Sequence, residues 1–96
     1  MQIDKVRLTR EEAIAKYNID KDLSGLDLSG VDLSGVYLSG ANLYGAILTK
    51  ADLRGANLCR ANLYEANLTG VDLYEANLCE ANLTKANLSD ADLSGA

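Results

Sequence analysis

The stretches ADLRGANLCRANLYEANLTG (residues 51–70) and VDLYEANLCEANLTKANLSD (71–90) lie end to end and align without a gap. Asp52 falls on Asp72, Cys59 on Cys79, and a leucine occupies every fifth position of both. Outward from this pair the leucines continue in both directions, from Leu23 to Leu93, fifteen of them at an unbroken spacing of five. Two residues before each Leu stands Ala or Val, Lys21 and Leu26 excepted; one before stands Asp or Asn, Tyr37 and Ile47 excepted.

A spacing of five suits neither regular element. On an α-helix it turns successive leucines by roughly 140° and scatters them around the axis, and along a flat strand an odd spacing alternates them between faces. The leucines share one interior only if the chain turns a corner about once per repeat. It then winds into a solenoid that buries each Leu and the small residue two before it. Asp32, Asp52, Asp72 and Asp92 recur every twenty residues, which points to four repeats per turn, although LYEANL at 63–68 and 73–78 also matches at ten.

Units such as ADLRG (51–55), ANLYE (61–65) and ANLTK (81–85), running over residues 21–96, resemble the pentapeptide-repeat proteins. The resemblance implies an all-β solenoid: a right-handed quadrilateral β-helix with four sides per coil, here just under four coils with a short N-terminal helical cap. Handedness and square section come from the resemblance alone. At a strand spacing of about 4.8 Å the stack would stand roughly 18 Å tall.

The ends of such a stack need cover, because they offer unpaired backbone and bare leucines. Residues 1–20 are read as a cap and 21–96 as the repeat body. Thr9 with Glu12 forms a capping box, and Ala13, Ile14 and Tyr17 form an apolar stripe, predicting a helix near 9–17 over the first coil. Residues 2–8 fit a strand or an extension of that helix equally. At the other end Ala96 opens an unfinished repeat, which fits either a longer chain or a homodimer formed through the uncapped C-terminal end.

Composition narrows the function. The net charge of -5 falls wholly on residues 21–96, since 1–20 carry four basic and four acidic side chains; an acidic body argues against direct binding to nucleic acid or anionic lipid. With no apolar run suited to a leader or a bilayer span, the expected location is cytoplasmic, and Cys59 and Cys79 are expected to be free, stacked thiols. There is no His, no glycine-rich phosphate loop and no nucleophile with a base at motif spacing, so no enzyme, catalytic residue, metal site or cofactor is expected.

Positions twenty apart should stack into outward columns. Tyr44 over Tyr64 predicts an aromatic pair, and Arg54 over Tyr74 a cation–π contact. Glu65 with Lys85 and Arg60 with Glu80 predict exposed ion pairs, the asparagines of one column predict side-chain amide ladders, and Ile47 leaves an apolar side chain outside. The column Asp32, Asp52, Asp72, Asp92 reads as a solvated acidic stripe, since Ca²⁺ would want more oxygens than it supplies. Tyr44, Tyr64, Arg54, Tyr74 and the four aspartates are the candidate interaction surface.

Two functions fit. The first is a non-catalytic interaction or scaffold module for a protein partner. The second, implied by the resemblance, is mimicry of DNA toward DNA gyrase or another DNA-binding protein through the acidic face. A stack of about 18 Å spans only about five base pairs, so mimicry would need a dimer.

Overall fold

A computed structural model of the chain describes residues 6–96. Its architecture follows from the corner that ends each repeat. The N–H three residues after a Leu donates back to that Leu carbonyl, as Ala41 does to Leu38 and Ala46 to Leu43, both at 3.0 Å. The third residue of each such turn has positive φ, +70° at Gly40 and +63° at Gly45, a conformation glycine adopts without a Cβ clash. Lys50, Arg60, Glu65, Glu75, Glu80, Lys85 and Asp90 hold the same left-handed conformation, with φ between 55° and 63°.

Between corners only one or two residues are extended, too few for long strands. Parallel single-residue bridges instead join positions twenty apart in four columns: Asp22, Asn42, Asn62, Asn82; Asp27, Ile47, Asn67, Asn87; Asp32, Asp52, Asp72, Asp92; and Tyr37, Asn57, Asn77. Each bridge carries bonds in both directions. Leu43 N–H donates to Asn62 O at 2.7 Å, and Asn62 N–H donates to Ala41 O at 2.9 Å. The chain therefore returns to the same place every twenty residues, and the ten-residue match has no structural counterpart.

Between the columns lies the core. Every central Leu from Leu23 to Leu73 is at most 1% exposed, and Val31, Val36, Ala41, Ala46 and their successors to Ala76 are buried with them. Small residues two before each Leu let the walls approach. In the last coil Leu78, Leu83 and Leu88 are only partly buried and Leu93 is 43% exposed.

One helix is present among the described residues, α1, Arg10–Asp20. Thr9 N-caps it in a capping box with Glu12, and Ala13 and Tyr17 are its buried residues. It runs three residues past Tyr17 and stops where Lys21 turns left-handed at φ 60°, its N–H on the Tyr17 carbonyl. Of the stretch 2–8, residues 2–5 lie outside the described residues. Arg7 forms a parallel bridge with Asp27, and Leu8 N–H donates to Asp27 O at 3.0 Å, which is strand-like pairing.

Arg7 and side chains of α1 also satisfy backbone oxygens. Within the body, the carbonyls just before and just after each Leu accept from the coil before it, as Asn42 O accepts from Leu23 N–H and Tyr44 O from Gly25 N–H, both at 2.8 Å. The first coil has no such predecessor. Arg7 Nη1 donates to Ser29 O, Arg10 Nη1 to Asp32 O and Tyr17 Oη to Ser39 O, at 3.3, 3.0 and 2.6 Å. The side chains of Arg7, Arg10 and Tyr17 thus take the place of a missing rung.

Candidate interaction surface

The residue before each Leu sets the outward geometry. At every Asp or Asn of that position, Oδ1 accepts the backbone N–H two residues on, at 2.9 to 3.1 Å. This is an Asx turn, for which Asp and Asn are equivalent because each offers the same oxygen. Ser and Thr reinforce it through their hydroxyls, as Ser34 does on Asp32 and Thr69 on Asn67, both at 2.7 Å. The amide oxygens are used within their own turns, and among the described residues no side-chain bond joins one stacked Asn to the next. The expected amide ladders do not form, because the local N–H is a nearer partner than the next coil.

These turns fix the residue after each Leu, where the candidates sit. Tyr44 and Tyr64 stack with ring centroids 5.6 Å apart and planes 5° from parallel; Tyr44 is 46% exposed. Lys85 Nζ lies over the Tyr64 ring, 5.8 Å from its centroid, and does not form the ion pair expected with Glu65. The sequence signal for this contact is weak: Lys85 stands twenty-one residues after Tyr64, one coil and one position on, a diagonal that column reading passes over.

Arg54 departs from its expected place over Tyr74. Its guanidinium turns back onto Asp52, Nε to Oδ1 at 2.9 Å and Nη2 to Oδ2 at 2.6 Å, and reaches Asp72 Oδ2 at 3.9 Å. A forked, charge-assisted pair outweighs an exposed cation–π contact worth about 0.5–1 kcal/mol. Arg10 of α1 reaches Asp32 Oδ1 at 3.5 Å. The Asp column is therefore no plain solvated stripe: two arginines engage Asp32, Asp52 and Asp72, and Asp92 is held by Ser94 N–H at 2.9 Å. Tyr74, 47% exposed, lines a shallow groove with Ser34, Arg54, Gly55 and Glu75. Arg60 and Glu80 pair at 3.3 Å as expected. Ile47 is half-buried in its column.

The candidates thus fall into two groups. Tyr44 and Tyr64 follow the Asn42, Asn62 column, whereas Arg54, Tyr74 and the aspartates follow the Asp column, and these are not neighbours in the four-column order. Cys59 and Cys79 are both free, the first half-buried and the second exposed.

The turn bonds also shift the carboxyls. The Ser34 hydroxyl holds Asp32 below the usual carboxylate range, Ser94 does the same to Asp92, and the Arg54 side chain lowers Asp52. A carboxyl depressed by folding contributes stability that is present above its unfolded value, about 3.9, and is lost as pH falls through the folded value. The melting temperature should therefore be flat near neutral pH and fall as pH drops from about 4 to about 2. Asp32→Asn and Asp92→Asn, which keep the turn oxygen but lose the charge, should lower the neutral-pH melting temperature and flatten the acid limb. Thermal melts across that range would test this, and an unchanged acid limb would contradict it.

Against known proteins, a family model described as pentapeptide repeats (8 copies) matches residues 22–60 and 61–96. A solved pentapeptide-repeat protein, Rfr23 of the cyanobacterium Cyanothece 51142, is 37% identical, covering 77% of this chain and 57% of its own, with a TM-score of 0.63. A second, alr5209 of Nostoc Pcc 7120, is 32% identical, covering 88% of this chain and 78% of its own, with a TM-score of 0.50. The chain thus spans less than two thirds of Rfr23. No curated protein matches it. Among the described residues no helix is long and apolar enough to cross a membrane. Fifteen unbroken repeats, bridges every twenty residues and a family match over residues 22–96 lead to one conclusion: the chain belongs to the pentapeptide-repeat family.

Proposed function

We propose that this chain is a non-catalytic interaction module that binds a protein partner through the exposed tyrosines of its middle coils. In this reading the body, residues 21–96, is a right-handed, four-sided β-helix of just under four coils, and the segment before Lys21 caps it. The protein works in the cytoplasm, where its two thiols stay reduced. The observation that carries the reading is the Tyr44 and Tyr64 stack, an exposed ring on a half-buried one, on backbone held by inter-coil bonds and Asx turns. Tyr is enriched among interface anchors, and an anchor already fixed in place loses little entropy on binding. Arg54 and Tyr74 form a second, separately directed strip.

The corners support it. A side chain at positive φ costs about 1 kcal/mol or more relative to glycine, yet seven corners between residues 50 and 90 carry one, and all seven are charged. The corners of the first coil are Gly25, Gly30, Gly35 and Gly40. Arg60, Glu80 and Lys85 make contacts within the fold, and Lys50, Glu65, Glu75 and Asp90 leave charge at corners where glycine would cost less. DNA mimicry is the weaker reading, because arginines sit on three of the four carboxylates it would present.

Capture experiments from the source cell test the proposal. The intact chain should retain a partner that Tyr44→Ala and Tyr64→Ala lose by at least about tenfold in affinity. Both variants should still melt cooperatively, since a stacked aromatic pair is worth about 0.5–1.5 kcal/mol. Equal retention by all three would overturn the reading, and inhibition of gyrase supercoiling by the intact chain would favour mimicry instead.

A further inference from the structure

Two thiols are half of a tetrahedral zinc site, and among the described residues no group of three His, Cys, Asp or Glu side chains could hold a metal ion. They are the whole of a linear site. We propose that Cys59 and Cys79 form a preorganised two-coordinate site for a soft monovalent cation, of which Cu(I) is the biological representative.

Register is the first argument. Asn57 and Asn77 form a parallel bridge; Leu58 N–H donates to Asn77 O and Arg60 N–H donates to Cys79 O, both at 2.8 Å. These bonds bracket the two cysteines and hold them in one column. Their own N–H groups are fixed on the Oδ1 atoms of Asn57 and Asn77, at 3.0 and 2.9 Å. Neither backbone is free to slide or turn away.

Spacing is the second. Neighbouring strands lie about 4.8 Å apart, and two metal–thiolate bonds laid end to end reach about 4.6 Å at the zinc–sulfur length of about 2.3 Å. A disulfide prefers Cβ atoms about 3.8 Å apart, closer than the column sets them, so the same rigidity that suits a bridging cation resists oxidation of the pair.

Chemistry supplies the third. Soft thiolate ligands select Cu(I), while hard cations want oxygen. Both thiols release a proton to solvent, each sulfur donates one electron pair to a single Cu(I), and no electron is transferred. The product carries one net negative charge. Cys79 is exposed, so the site is open to an incoming ion.

The test is anaerobic titration of the whole chain with Cu(I) against a bathocuproine-type chelator, read by sulfur-to-copper charge-transfer absorption and by native mass. One Cu(I) per single chain is expected, and Cys59→Ser or Cys79→Ser should each weaken it about 100-fold or more, as when a two-point contact becomes a one-point contact. Both variants should fold, because Ser39 already occupies this column position in the first coil; their melts check this. Two ions per chain, copper bridging two chains, or single-cysteine variants that bind as tightly as the parent would each overturn the proposal.

Discussion

Leu63→Asp should abolish cooperative unfolding of the chain at room temperature. Leu63 is 0% exposed, in the third coil, with stacked leucines of the same column at Leu43 and Leu83. Truncation to Ala in a packed core costs about 2–5 kcal/mol, and a carboxylate there adds the cost of a buried charge with no partner in reach. Against a total stability of about 5–14 kcal/mol for a chain of this length, the sum leaves no folded state. Leu63→Ala should remain folded with a lowered midpoint. Leu93→Asp is the matched control: at 43% exposure the same substitution should cost about 1 kcal/mol or less. Circular dichroism melts of the three variants check the ordering, and a cooperative transition in Leu63→Asp would contradict the inward assignment of the central leucines.

The second largest effect is expected at the cap. Tyr17 is buried at 7% exposure, its hydroxyl donates to the Ser39 carbonyl at 2.6 Å, and its ring meets Tyr37 edge-on with centroids 6.3 Å apart. Tyr17→Ala removes all three contacts and should cost about 3–5 kcal/mol, as for other large aromatic truncations. That corresponds to a fall in melting temperature of more than about 10 °C for a domain of this size. Tyr17→Phe isolates the hydrogen bond and should cost about 1 kcal/mol. Because each coil contacts only its neighbours, hydrogen exchange in Tyr17→Ala should accelerate first in residues 21–40 and leave 61–80 protected longest. Uniform acceleration along the chain would show that the cap has no local role.

Both expectations rest on a division between what repeats and what does not. The inward set was legible in the sequence because burial here is decided by the repeat itself: the same corner recurs after every Leu and points the same two side chains inside. The box of Thr9 and Glu12 was legible for a similar reason, since capping is settled within four residues. The candidate surface was legible in part. Stacking of Tyr44 on Tyr64 follows from the twenty-residue period, but Arg54 had two partners within reach and chose carboxylates over a ring. Long, flexible side chains are placed by competition between contacts, and column counting holds no information about the outcome.

The asparagines show the same limit from another side. The sequence offers Asp and Asn at one position without saying why; the Asx turn explains both, by a bond two residues away that needs only an oxygen. The cap's bonds from Arg7, Arg10 and Tyr17 to Ser29, Asp32 and Ser39 each span twenty-two residues. No motif marks them, because what they satisfy is an orphaned carbonyl that exists only once the first coil has formed.

By itself, then, the sequence determined the five-residue period and the inward residues, for those follow from a spacing that fits no regular element and admits one way of sharing a core; that columns repeat at twenty residues rather than ten was decided by the bridges. Only the tertiary structure decided how the first coil is closed, which carboxylates are neutralised, and that Cys59 and Cys79 are clamped in register by bonds on either side. These depend on distances between residues in different coils, and such distances are set when the turns stack.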